Sequence, residues 1–370
     1  MRDDEVTLFL CGDVMLGRGI DQILPHPGDP TLREPSVTDA RSYVTMAERA
    51  NGPVPRPVDV AWPWGEALEV LDSAAIDARI INVENAVTRS DDFAPGKAVH
   101  YRMTPENLPA LRVARPDVCV LANNHLLDFG HRGLEDTLRA LEGAGLPAAG
   151  AGRDRAEAWR PATVPLAAGG RVVVLAVGMR SSGVPADWAA GRARPGVALL
   201  PEADTDHADQ VVRVVAEHKR PGDLVVVSIH WGSNWGYEVA RKQTRFAHAL
   251  VDGGVDVVHG HSSHHPRPIE VYRGRLVLYG CGDFVNDYEG ISGHEAYRDD
   301  LRIAYLVSLR LGNGELTAVR LVPFQARRMR LANTTPQDIH WLGGVLDRVS
   351  RPFGTGVEQS PEGRLSLRWA

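Results

Sequence analysis

Five short apolar runs along the chain each end on polar, chemically active residues. Leu8-Phe9-Leu10 leads into Cys11-Gly12-Asp13, and Ile80-Ile81 into Asn82-Val83-Glu84. Val118-Cys119-Val120-Leu121 precedes Asn123-Asn124-His125, Val225-Val226-Val227 precedes His230-Trp231-Gly232, and Val257-Val258 precedes His259-Gly260-His261. Runs of this length read as buried strands, and in layered α/β proteins ligands gather where such strands end. The pattern predicts strands at 6–11, 79–83, 117–122, 171–178, 223–229 and 255–259, with helices at 66–74, 106–114, 131–144, 205–219, 241–252 and 335–348. Arg273-Gly274 joins strands 269–272 and 275–279 as a hairpin, and Gly312-Asn313-Gly314 joins 301–309 to 315–322. A Pro-rich stretch over 22–65, containing Trp62-Pro63-Trp64, is too long for an ordinary connection. It reads either as a wall or lid of a pocket or as an insertion packed by its tryptophans. One α/β domain over 1–370, with two packed sheets and helices outside, is the simplest architecture.

The chain has 370 residues, 44% hydrophobic and 24% charged, which suits a globular protein with a full core. A net charge of −6 supplies no basic footprint, so nucleic acid is not an expected partner. No apolar run approaches the roughly 20 residues needed to span a bilayer, so no membrane partner is expected either. Met1-Arg2-Asp3-Asp4-Glu5 lacks the basic and apolar segments of a leader, which makes a cytoplasmic location the expectation. Cys11, Cys119 and Cys281 are odd in number and lie in or beside strand-like runs, as reduced, packed thiols would.

The strand ends carry the candidate chemistry. Asp13 can ligate a metal or orient a histidine, though an Asx turn or helix cap would also account for it. Glu84 is a second acid at the end of an isoleucine-rich approach. In Asn123-Asn124-His125 the amide offers a carbonyl oxygen to a cation, the imidazole can act as acid or base, and Asp128 is near enough to fix its tautomer. His230 is followed by Trp231 and Trp235, either an aromatic wall for substrate or core filler. The density of His259, His261, His264 and His265 demands neutralisation by a metal or by carboxylates. His261 and His264 are the expected ligand pair, and His259 and His265 supporting or packing groups. Asp283 is a further acid/base or supporting candidate. Arg18 and Arg267 are the arginines placed to bind a substrate carboxylate or phosphate.

Taken in order, from Gly12-Asp13-Val14-Met15 through Asn123-Asn124-His125 and His261…His264 to Gly282-Asp283-Phe284, these motifs resemble the bacterial capsule-synthesis CapA-like family. That family is related to the calcineurin-like metallophosphoesterases. The resemblance implies a calcineurin-like four-layer α-β-β-α sandwich of two mixed β-sheets flanked by helices. It places Asp13, Glu84, Asn124, His230, His261 and His264 at metal-ligand positions and His125 at the catalytic histidine. Two departures matter: Met15 stands where the wider superfamily has a histidine ligand, and Val87 where it has the Asp that supports the catalytic histidine. One divalent metal, or two held weakly, is therefore expected, with Ca, Mg or Mn favoured over Zn or Fe and no organic cofactor.

A site depleted in this way is ill-suited to two-metal phosphoryl chemistry. The expectation is a metal-dependent acid/base enzyme acting on a peptide substrate. A lasso-peptide epimerase in the same family makes Cα epimerisation of a C-terminal residue the specific form, with Asp13, His125, His230, His264 and Asp283 moving protons. Trp231, Trp235, Arg18 and Arg267 would seat the substrate. Two alternatives stand beside it: a metal-dependent hydrolase of phosphoester or γ-glutamyl/amide bonds, and a protein of polyglutamate or capsule-polymer binding or biosynthesis.

Overall fold

The computed structural model describes residues 4–369. Two sheets lie face to face. In the first, the order is Thr355–Gln359, Leu365–Trp369, Leu316–Ala326, Leu301–Arg310, Glu5–Val14, Ala78–Val83, Val118–Val120 and Ala148–Ala149. Strands from Glu5–Val14 to Ala148–Ala149 run parallel, whereas the C-terminal strands pair antiparallel. The second sheet runs Leu199–Leu200, Arg171–Met179, Leu224–His230, Val257–His261, Arg275–Leu278 and Ile269–Tyr272, parallel up to its terminal hairpin.

The alternation of side chains along the second sheet explains the layering. Val172, Val174, Leu224, Val226, Val257 and Leu278 share the central core with Leu8, Leu10 and Ile80 of the first sheet. Their neighbours Val173, Leu175, Val225, Val227, Ile229 and Val258 turn the other way, onto Val211, Val215, Phe246 and Leu250 of helices Thr205–His218 and Arg241–Asp252. Strands buried on both faces need no polar alternation, hence the unbroken valine runs. The outer face of the first sheet is covered by Trp64, Ala67, Leu71, Ala110 and Leu111. The four-layer sandwich expected from the motifs is the observed architecture.

The elements agree with expectation to within a few residues, with three exceptions. The expected helix at 106–114 is a 3-10 turn, Pro105–Asn107, followed by the single turn Pro109–Arg112. Strands Thr355–Gln359 and Leu365–Trp369 extend the first sheet beyond the last expected element. The 22–65 stretch contains its own helix, Arg41–Asn51, and is nailed down by its tryptophans: Trp64 Nε1 donates to Ala110 O at 2.6 Å and Trp62 Nε1 to Arg328 O at 3.0 Å. It packs as a wall of the first layer.

All the parallel strands of both sheets point their C-terminal ends to the same edge. Register does the rest. His230 pairs with His261 across neighbouring strands, and Asp13 lies beside both Asn82 and Asp283.

Candidate metal centre

Asp13, His230 and His261 converge from three strands of the two sheets, and one ligand atom of each lies within 4.8 Å of the others. Asp13 Oδ1 stands 3.7 Å from His261 Nδ1 and 4.0 Å from His230 Nδ1. Asn82 Nδ2 donates to Asp13 Oδ1 at 2.7 Å and Ser262 N to Oδ2 at 3.2 Å. Ser262 has φ 101°, a strained conformation for a serine, and it is this turn that aims its N–H at the carboxylate.

The tautomers of the two histidines follow from their outer partners. His259 Nε2 faces Cys11 O at 2.8 Å, and a carbonyl only accepts, so that nitrogen carries the proton. His259 Nδ1 must then accept from Ser228 Oγ, 3.1 Å away, which leaves the serine oxygen to accept from His261 Nε2 at 2.9 Å. His261 Nδ1 therefore presents a lone pair. His230 Nε2 meets two acceptors, Asn124 Oδ1 at 2.8 Å and Glu84 Oε1 at 3.4 Å, and so carries its proton there. His230 Nδ1 presents a lone pair too. The two Nδ1 atoms are 2.8 Å apart.

Two lone pairs at that distance repel unless a cation lies between them. A proton is a poor choice, because burial above all, then the other imidazoles nearby, depresses the basicity of both rings. Burial, followed by the neighbouring acids, raises both Asp13 and Glu84, and Glu84 Oε2 is buried without a partner. Two imidazole lone pairs, a carboxylate under strain from its own desolvation and an orphaned carboxylate oxygen are the donor set of a divalent metal, and the residues fit one.

His125 stands at the rim. Its Nδ1 donates to Asp128 Oδ2 at 2.7 Å, which turns Nε2 toward the centre, 3.9 Å from Glu84 Oε1. Lys97 Nζ bonds both Asp128 and the carbonyl of Asn124. Burial outweighs Asp128 and pulls His125 down to about 4, so it is a neutral base at pH 7. Asp128 supplies the support that Val87 cannot. A second pair lies opposite: His264 Nδ1 donates to Asp283 Oδ1 at 3.0 Å, and Asn286 Nδ2 donates to Asp283 Oδ2 at 2.6 Å. Burial opposes protonation of His264, but Asp283 overcomes it and holds the imidazole above its ordinary range.

Several expectations need correction. His264 is engaged by Asp283 and by Asn234, 3.0 Å from its Nε2, and does not join the Asp13 group as a ligand. Trp231 is fully buried, stacked on Tyr279 and donating to its carbonyl, and cannot touch substrate. Arg18 is consumed by Asp287 and Glu34 inside the protein. Trp235, by contrast, is half-buried and lines a cavity beside the centre, together with Arg267. Asn82 stood in the second motif without a role, and Ser228, Lys97 and Gln243 were not foreseen. Ser228 alone left a trace, a hydroxyl inside a valine run.

The model of the family described as bacterial capsule synthesis protein PGA_cap matches residues 7–288. The chain is 53% identical over 365 residues to a Mycobacterium tuberculosis protein named probable polyglutamine synthesis accessory protein, covering 98% of this chain and 96% of that one. It is 28% identical to the Bacillus subtilis PGA biosynthesis protein CapA, covering 82% of this chain and 68% of the relative. Among solved structures, a phosphatase from Mycoplasma pneumoniae aligns over 89% of this chain and 95% of its own, with a TM-score of 0.49 and 11% identity.

Proposed function

The chain belongs to the bacterial capsule synthesis protein family PGA_cap, and from that premise we propose that its strand-end centre is a metal-dependent acid/base site acting on a glutamyl polymer during that polymer's synthesis. The reaction we infer is cleavage or transfer at the polymer's amide bonds. One observation carries the reading: the Nδ1 atoms of His230 and His261 lie 2.8 Å apart beside Asp13, with His125 at the rim.

Asp13, His230 and His261 would hold the metal, with Asn124 and Glu84 orienting His230 through its Nε2. The bound ion would supply Lewis-acid polarisation of a carbonyl. Two imidazole nitrogens favour Mn, Fe or Zn over Ca or Mg. His125, neutral and held by Asp128, takes a proton through Nε2 from the attacking nucleophile and returns it to the leaving nitrogen. His264 with Asp283 is a second proton carrier. The names of the Mycobacterium tuberculosis and Bacillus subtilis relatives point to polymer synthesis, which favours this function over Cα epimerisation. Among the described residues no helix is long and apolar enough to cross a membrane. The free, buried thiols of all three cysteines support a reducing compartment such as the cytoplasm.

The test is incubation of metal-loaded protein with γ-linked polyglutamate and with polyglutamine, following chain length and new amino ends. Metal-dependent change is expected, reduced on the order of 10²-fold or more in His125→Ala with metal content retained. His261→Ala should lose the metal itself. Unaltered polymers with Mn, Fe and Zn, bound equally well by His125→Ala, would make the chain a non-catalytic polymer-binding protein.

A further inference from the structure

Beside the metal centre, and separated from it by the loop 232–236, lies a cavity of about 570 Å³. Arg267 and Gln243 line it, and three of their buried donor atoms, Arg267 Nε, Arg267 Nη1 and Gln243 Nε2, have no hydrogen-bond partner among the described residues. Arg267 is 2% exposed and Gln243 7%. Among the described residues, the guanidinium's one bond is from Nη2 to the main-chain oxygen of Glu238. Burial lowers its basicity, and no carboxylate among the described residues offsets it. A buried arginine left this way is costly, because guanidinium cannot shed its proton.

The backbone makes room for the donors. Gly232 has φ 84°, and a Cβ there would come within 2.9 Å of Gln243 Nε2 and 3.0 Å of Arg267 Nη1. Ser181 Oγ accepts from Gly232 N at 3.1 Å and pins the turn. The same loop faces the centre on its other side, where Asn234 meets His264. Lys242 and Glu202 pair with each other at 3.7 Å on the wall, so Arg267 keeps its charge unspent.

We propose that this cavity is a carboxylate subsite, in which Arg267 and the Gln243 amide bind a carboxylate of the glutamyl chain while the adjoining amide bond reaches the metal centre. Arg267 Nη1 and the Gln243 amide lie side by side beneath Gly232, so one carboxylate can accept from both, the guanidinium bond being charge-assisted. Trp235, on the same wall, flanks the methylene groups between carboxylate and amide. The glutamyl identity of the ligand rests on the proposed function; the carboxylate subsite itself rests on the unpartnered Nη1 and amide donors.

The experiment is calorimetric titration of the full-length, metal-loaded protein with γ-glutamylglutamate and with succinate. Wild type is expected to bind the dipeptide, with affinity at least tenfold weaker in Arg267→Met. Gln243→Glu, which places an internal carboxylate against Arg267 with little change of shape, should weaken it equally and raise the melting temperature. His261→Ala should still bind. Undiminished binding in both Arg267→Met and Gln243→Glu would overturn the subsite. Binding that depends on Arg267 in a protein that leaves the polymers untouched would uphold the subsite and sink the polymer chemistry. Succinate bound as tightly as the dipeptide would uphold a carboxylate site and remove its glutamyl selectivity.

Discussion

Arg18 and Arg267 are both buried arginines near the same strand-end edge, and they are opposites. Arg18 Nε and Nη2 bond Asp287 at 2.8 and 2.5 Å, and Nη1 bonds Glu34 at 3.0 Å, with the guanidinium 3.5 Å above the Tyr43 ring. Every face of that charge is answered from within the chain. Arg267 has a single carbonyl among the described residues. A buried charge whose partners are internal is architecture, while one whose partners are missing is waiting for something from outside. Sequence treats the two residues alike, because both are arginines next to a motif.

The comparison can be broken most easily at Arg18. Arg18→Met strands Asp287 and Glu34 in the interior and should cost about 3–5 kcal/mol, read from urea unfolding. A loss below about 1 kcal/mol would mean the ion cluster is dispensable and the contrast empty. A buried histidine shows a third solution, which is to stay neutral. His265, flanked by Trp235, Tyr297 and Tyr237, accepts from Gly236 N at 3.0 Å, and burial holds it at about 4. Its folded value lies below the unfolded one near 6.5, so as pH falls from 7 to 5 the unfolded chain takes up a proton that the folded chain refuses. Stability should drop by about 2 kcal/mol from this group over that range, and His265→Gln should flatten the slope accordingly. Identical slopes would show that His265 protonates freely in the fold. The smallest effect is expected at Arg267 itself: without ligand, Arg267→Met should change stability by less than about 0.5 kcal/mol or raise it, because no internal anion is abandoned. A loss as large as that of Arg18→Met would show that its charge is answered after all.

Legibility followed the same division. Asp13, Glu84, Asn124, His125, His230 and His261 could be named because each closes an apolar run, and strands of like direction bring their ends together. Asp128 was legible as well, three residues from His125 on a turn. Lys97 reaches that pair from a loop with no periodic signal, and Gln243 is an ordinary polar position in the first turn of helix Arg241–Asp252. Trp231 looked like a companion to Trp235, yet strand geometry sends the first into the helix-facing layer and leaves the second beside the cavity.

Taken alone, the order of residues determined the sandwich, its parallel strands and the edge where polar groups collect, because side-chain alternation and turn chemistry act over a few residues at a time. Which histidines meet was decided only by tertiary structure. Register set His230 opposite His261, a chain of bonds from Cys11 O through His259 and Ser228 aimed two lone pairs at one point, and Asp283 drew His264 away. Proton positions and buried charge balance depend on every neighbour in three dimensions, and those neighbours come from positions up to 269 apart in the chain.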